Sequence, residues 1–257
     1  MPSRSTEYLW HRIQFSTGLT NTVTIRDQWT VRCHPTAKKH FEVFQDDPVQ
    51  SAELDAFLQN CPPGIQLLDI GAHYGFFAAA AIRFGGPAAR VLCIEASPKA
   101  AKILQTTIAL NQLEHCVQSI NVAMGPEDGL LPMLTTGPLA GDYFVVPAET
   151  RADVTMVPQR SLASIIQETG FSPTHIKFDI EGFEYEVIEA AIQTLQQHHP
   201  IIFLELHGDA LHARGKNPGD VLQMLQNAGY NHFLLNDSEI TEKDLHHLGF
   251  NCRLICS

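Results

Sequence analysis

No apolar run in this chain of 257 residues approaches the roughly 18 that a membrane-spanning helix needs. The first ten residues lack the apolar stretch of a secretory leader, so no signal peptide is expected. Paired-cysteine motifs are missing as well. The six cysteines, at 33, 61, 93, 116, 252 and 256, form no CxxC and no Cys/His zinc spacing. Cys252 and Cys256 fall on the same side of a strand about 13 Å apart, too far to bridge. Reduced structural thiols in a cytoplasmic protein are therefore expected. Basic charge is scarce: 17 Lys and Arg against 28 Asp and Glu give a formal net charge of -11, with no Lys/Arg cluster. Such a chain repels phosphate backbones and anionic lipid, so neither nucleic acid nor a membrane is an expected partner. Two nucleotide fingerprints are absent, the G-x-G-x-x-G of nicotinamide enzymes and the Gly-Lys-Ser/Thr of a P-loop.

What is present is an ordinary 44% of hydrophobic residues, enough for a sizeable core. Residues 1–60 read as an extension, with a hairpin around Asp27-Gln28 and a helix over 53–58. Residues 61–257 read as the main domain, opened by Pro62-Pro63-Gly64. From there short β-branched strands (65–70, 91–95, 117–122, 175–179, 201–206) alternate with helices (76–84, 98–111, 161–168, 184–197, 218–228). Ser97-Pro98 is a cap followed by a first-turn proline. Residues 125–160, rich in Gly, Pro and Thr, read as a long loop that could carry a hairpin. The stretches 230–235 and 252–256 read as two last strands joined without a helix, which permits an antiparallel edge. The pattern argues for an α/β doubly wound, mostly parallel sheet with helices on both faces.

The strongest motif is Leu67-Leu68-Asp69-Ile70-Gly71-Ala72-His73-Tyr74-Gly75, followed by Phe76 at the start of a helix. The glycines let the backbone turn tightly and approach a ligand. The turn lies past a strand's carboxyl end, where open α/β sheets bind ligands. Asp69 would repel a pyrophosphate but suits the ammonium of an amino-acid-like ligand. About twenty residues on, Glu95-Ala96-Ser97 ends the second strand, where a carboxylate reaches ribose hydroxyls. Asn121-Val122-Ala123 ends the third strand, near where a nucleoside base would lie, and an ordinary strand end reads the same way. Asp179 and Glu181 follow the fourth strand and His207 the fifth, all opening onto the same edge. Lys177, on a buried strand, should pair with an acid. The pairs His198-His199 and His246-His247 read as solvated ends.

These segments, Asp69-Ile70-Gly71-Ala72-x-x-Gly75, Glu95-Ala96-Ser97-Pro98, Ile176 to Glu184 and Pro200 to His207, resemble the FkbM family of methyltransferases over about residues 50 to 235. The Lys-x-Asp-x-Glu-Gly-x-Glu run at 177–184 is the more specific mark. One departure is His73, where the family usually has Asn. The resemblance implies a Rossmann-like class I fold of seven strands with an antiparallel last strand. It also implies S-adenosyl-L-methionine as cofactor and transfer to oxygen, often a hydroxyl of a natural product or sugar. Asp69, Gly71, Ala72, His73, Tyr74, Gly75, Phe76, Glu95, Ala96, Ser97, Asn121, Val122, Ala123 and Asp179 are the expected cofactor residues. An alcohol must lose its proton as it attacks, so His207 is the expected general base, with Asp179 and Glu181 as its carboxylate partners. The same trio could hold a divalent ion instead; the base reading is adopted and no metal is expected. The N-terminal residues and the 125–160 stretch, with Tyr143 and Phe144, are the expected acceptor side. The expected partner is a small-molecule acceptor, and a homodimer stays open. A catalytically silent cofactor-binding module and a nicotinamide oxidoreductase remain the alternatives.

Overall fold

A computed structural model describes residues 18–135, 143–145, 154–235, 238–240 and 251–257, with Trp10, Ile13, Ser16 and Asp244. The N-terminal layer comes first. Strands β1 (Asn21–Ile25) and β2 (Trp29–Cys33) form the anticipated antiparallel hairpin. Its turn places Arg26 and Asp27 at φ 50° and 53°. Two helices follow, α1 (Lys38–Asp46) and α2 (Pro48–Gln59). The first was not anticipated, and the second begins five residues earlier than read. Asp47 caps it through the amides of Val49 and Gln50, with Pro48 in its first turn. This is the same cap-and-proline signal that Ser97-Pro98 gives.

The central sheet contains β3 (Gln66–Ile70), β4 (Arg90–Ile94), β5 (Val117–Ile120), β10 (His175–Phe178), β11 (Ile201–Leu206), β12 (Phe233–Leu235), β13 (Ser238–Glu239) and β14 (Cys252–Cys256). Its order is β13-β12-β14-β11-β10-β3-β4-β5. Strands β5, β4, β3, β10 and β11 are parallel. The last strand, β14, is antiparallel, as expected, but it is inserted between β11 and β12 rather than closing an edge. The two-residue β13 adds an eighth strand at the rim. The chain winds outward from β3 in both directions, so the switch point lies between β3 and β10.

Helices α3 (Phe76–Gly85), α4 (Pro98–Leu110), α5 (Leu162–Thr169), α6 (Glu184–His198), α7 (Gly208–Ala213) and α8 (Pro218–Asn227) are interleaved with these strands. Helix α3 is buried along nearly its whole length. A helix apolar all round must be covered on both sides. The N-terminal layer supplies the second cover: Phe44 stacks on Phe76 with centroids 3.8 Å apart, and Phe57 meets Phe77 at 5.1 Å. One apolar cluster thus runs from Val23 through Phe57 to Phe77 and Ile103.

The described residues of 123–160 are mostly strands, where a long loop that could carry a hairpin was expected. Strands β6 (Ala123–Met124), β7 (Gly129–Thr135), β8 (Tyr143–Val145) and β9 (Val154–Arg160) form a second sheet of order β6-β9-β7-β8. Leu131, Met133 and Val157 point inward while Leu130 and Met156 face solvent. That period-2 alternation is the strand signal, masked in the sequence by Pro132, Pro158 and neighbouring Thr.

Candidate active site

Strand register builds the site. Ile94, Ile70, Phe178, Leu204 and Leu254 lie side by side across five strands. The next residue toward the carboxyl edge is Glu95, Gly71, Asp179 or Glu205 in turn, and Arg253, on the antiparallel β14, faces Glu205. One row of backbone thus delivers three acids, a glycine and a cation to one rim. They open into a cavity of about 360 Å³.

On the β3 side the turn is tight. Gly71 has φ 83°, and a Cβ there would sit 1.8 Å from the backbone oxygen of Asp179. Only glycine lets β3 and β10 approach so closely at the switch point. Gly75 (φ 87°) packs against the Leu104 side chain, where a Cβ would come within 2.5 Å. His73, between them, also takes a left-handed conformation at φ 48°. Its amide donates to Glu95 Oε2 at 2.7 Å, while Glu95 Oε1 accepts from the Ser97 amide at 2.8 Å. Glu95 therefore ties the glycine turn to the start of α4. Asn121 Nδ2 donates to the backbone oxygens of Glu95 and Ala96.

Of the expected cofactor residues, Asp69, Gly71, Ala72, His73, Phe76, Glu95, Ala96, Val122, Ala123 and Asp179 line the cavity, as do Glu181 and His207. Tyr74, Gly75, Ser97 and Asn121 do not line it and instead brace it from behind. The Tyr74 ring stacks on His73, Ser97 caps α4, and Asn121 props the Glu95 backbone. The side chains of Tyr143 and Phe144, and the pair His246-His247, lie outside the described residues. His199 is exposed and stacks on Tyr230, while His198 is half-buried.

The opposite wall is charged. Lys177 is buried and pairs with Asp179 at 3.1 Å and Glu53 at 3.3 Å, its ammonium 4.7 Å above the Phe77 ring. Arg253 contacts Glu53 at 2.9 Å and Glu205 at 2.6 Å. His207 donates no ordinary hydrogen bond to the carboxylates expected to orient it: its Nε2 is 3.5 Å from Glu181 and 3.9 Å from Asp179. Its Nδ1 instead lies 2.8 Å from Glu184 Oε1, the last acid of the 177–184 motif, to which the motif alone assigns no role. His40, Phe44, Gln50 and Glu53 were also missed and reach the cavity from α1 and α2. Their signal was the Phe41/Phe44 and Gln50/Glu53 spacing of helix faces. Asp179, Glu205 and His207 each offer one ligand atom within 4.8 Å of the others, a geometry that a divalent ion could use.

Burial sets the protonation pattern. It pushes the carboxyls of Asp69 and Glu95 up to about 7, against the two amides that Glu95 accepts from. Burial and Asp179 likewise raise Glu205 to about 7. Burial disfavours a charged His207, yet the Glu184 hydrogen bond and the charges of Glu184, Asp179 and Glu181 outweigh it and raise the ring to about 9. Burial disfavours a charged Lys177 too, and Asp179 and Glu53 outweigh that. His40, 3.1 Å from His73, is lowered to about 4 by burial, so this pair stays neutral.

A parallel sheet with an antiparallel strand inserted between its last two main strands, and an acid-lined pocket at the switch point, is the class I methyltransferase architecture. The FkbM methyltransferase domain signature matches residues 69–231, and the chain belongs to that family. No curated protein matches it. Among solved structures, it is similar to a methyltransferase FkbM from Methylobacillus flagellatus KT, at 18% identity and a TM-score of 0.49 over 87% of this chain. This chain spans 58% of that protein. It is also similar to a putative rRNA-methylase from Clostridium thermocellum, at 12% identity and TM-score 0.48, covering 80% of this chain and 92% of that one. A third is the fibrillarin of Aeropyrum pernix, solved with natively bound S-adenosyl-L-methionine, at 8% identity and TM-score 0.46, covering 93% and 100%.

Proposed function

We propose that the protein is an S-adenosyl-L-methionine-dependent methyltransferase that methylates a hydroxyl of a small molecule. The observation that carries the reading is Glu95, buried at the end of β4 and fastened to the glycine turn. The residues present fit the cofactor. Each Glu95 oxygen keeps a lone pair for a ribose hydroxyl, since an ionised carboxylate offers about four acceptor sites. Asp69 lines the cavity and its Oδ2 is buried with no hydrogen-bond partner, so it could accept from the cofactor's ammonium group. Bound there, the cofactor supplies an activated methyl group, so the protein's own work is alignment and removal of the acceptor's proton. In this reading the deprotonated His207 ring takes that proton at Nε2, so turnover should rise as pH approaches 9, and Glu181 and Asp179 stabilise the imidazolium that forms.

Several features support a small, uncharged acceptor over nucleic acid or a membrane surface. The net charge is -11, and both cations of the charged wall, Lys177 and Arg253, are held by carboxylates. Helices α1 and α2 form the acceptor-side cover in this reading, through His40, Phe44, Gln50 and Glu53. Six unbridged thiols suit the reducing cytoplasm, and no described helix is long and apolar enough to cross a membrane. The test is incubation with S-adenosyl-L-methionine and a panel of polyols, glycosides and phenols, read by mass spectrometry. Acceptor-dependent formation of S-adenosylhomocysteine with a new O-methyl group is expected. Turnover with RNA alone would overturn the acceptor class.

A further inference from the structure

We propose that Glu184 is the positioning residue of this site: its buried carboxylate grips His207 by Nδ1 and so fixes Nε2 as the nitrogen that faces the cavity. The proposal rests on the methyltransferase reading for its purpose but not for its geometry.

Glu184 opens the 15-residue helix α6 and is 0% exposed. A carboxylate is favoured at a helix N-terminus, but that benefit does not require burial. Full burial of an acid is costly unless specific partners repay it. Here Oε1 takes two: the Gly182 amide at 3.0 Å and His207 Nδ1 at 2.8 Å. One oxygen therefore joins the turn after β10 to the end of β11. The turn itself is held in a strained shape, with Glu181 at φ 54° and Gly182 at φ 94°. A Cβ on Gly182 would meet Ala210 Cβ at 2.4 Å, so the turn lies directly on α7.

The consequence is a tautomer. An ionised carboxylate can only accept, so Nδ1 must carry a hydrogen. In the neutral ring the lone pair then sits on Nε2, which lies in the cavity wall 3.5 Å from Glu181 and 3.9 Å from Asp179. With the opposite tautomer the ring would present a donor to the acceptor hydroxyl and could not take its proton. The groups that set the ring's charge are Glu184 from α6 and Asp179 and Glu181 from the turn after β10; Glu205 from β11 brings a carboxylate oxygen within 4.8 Å of the ring, and Arg253 from β14 lines the same cavity. The nearby Cys252 thiol, raised to about 11 by burial, stays uncharged.

The experiment is nitrogen NMR of the histidine rings in the full chain, titrated from pH 6 to 10, with His207→Asn identifying the resonances. In the wild type Nδ1 should keep its hydrogen throughout while Nε2 loses its own as pH rises. Glu184→Gln keeps an acceptor oxygen for both partners and should keep the tautomer. Glu184→Ala should give mixed tautomers; should it fail to fold, the wild-type tautomer decides alone. A neutral wild-type ring protonated on Nε2, or a single unchanged tautomer in a folded Glu184→Ala, overturns the proposal. Wild-type protein that fails to bind S-adenosylhomocysteine overturns the cofactor reading instead and leaves the tautomer readable.

Discussion

Glu95→Gln is a one-atom change at the joint of the cofactor turn. The wild-type carboxylate accepts from two amides, His73 at 2.7 Å and Ser97 at 2.8 Å, one on each oxygen. Glutamine keeps one oxygen and turns an NH2 group toward the other amide, a donor facing a donor. Losing one hydrogen bond to a charged group costs about 1.5–3 kcal/mol, so affinity for S-adenosylhomocysteine should fall roughly 10–150-fold. The pH dependence sharpens the test. Burial pushes Glu95 to about 7, so wild-type binding should weaken below pH 7, by up to about tenfold per pH unit, and level off above it. Asp69 titrates in the same range, so the variant should show a shallower slope rather than none. Isothermal calorimetry at pH 6, 7 and 8 measures both effects. A variant that binds like wild type at pH 8 would refute the reasoning.

Three further outcomes are expected. Gly71→Ala places a methyl group against the Asp179 carbonyl at a left-handed φ, which alone costs about 1–2 kcal/mol before the collision is relieved; a lowered Tm and lost cofactor binding are expected, and an unchanged Tm would contradict the packing. His207→Ala should slow turnover by about 10²–10⁴-fold with cofactor affinity nearly intact, and wild-type activity should survive a chelator; wild-type turnover in the variant would move the base role to Asp179 or Glu181, and loss to a chelator with recovery on adding a divalent ion would favour a metal at Asp179, Glu205 and His207. The cofactor-free protein should melt lower at pH 9 than at pH 6. Asp69, Glu95 and Glu205 are raised to about 7, so their contribution is lost as pH rises from about 4 to 7, and that of His207, raised to about 9, is lost between about 6.5 and 9. A Tm that rises over that range would contradict these environments.

The parts of the site that lie within one strand-turn-helix unit were legible in the sequence. Asp69 to Gly75, Glu95 with its Ser97 cap, and Asp179 after β10 sit where apolar strands stop, and strand ends are visible in the pattern. The rest arrives through tertiary packing. Glu53 and Arg253 are 200 residues apart, yet they meet over Lys177 because α2 covers α3 and β14 lies against β11. No local spacing carries that. Glu184 was hidden for another reason: an acid at the start of a helix has an ordinary explanation, and only its complete burial against His207 shows otherwise. The β7–β9 pairing was obscured because turn-forming residues share its strands with the apolar alternation.

The central claim is that the pocket between β3 and β10 takes S-adenosyl-L-methionine. Calorimetry on the wild type at pH 8, titrating S-adenosylhomocysteine and then NAD, tests it most directly. The account predicts one-to-one saturable binding of the first and none of the second. Binding of NAD without S-adenosylhomocysteine would contradict it.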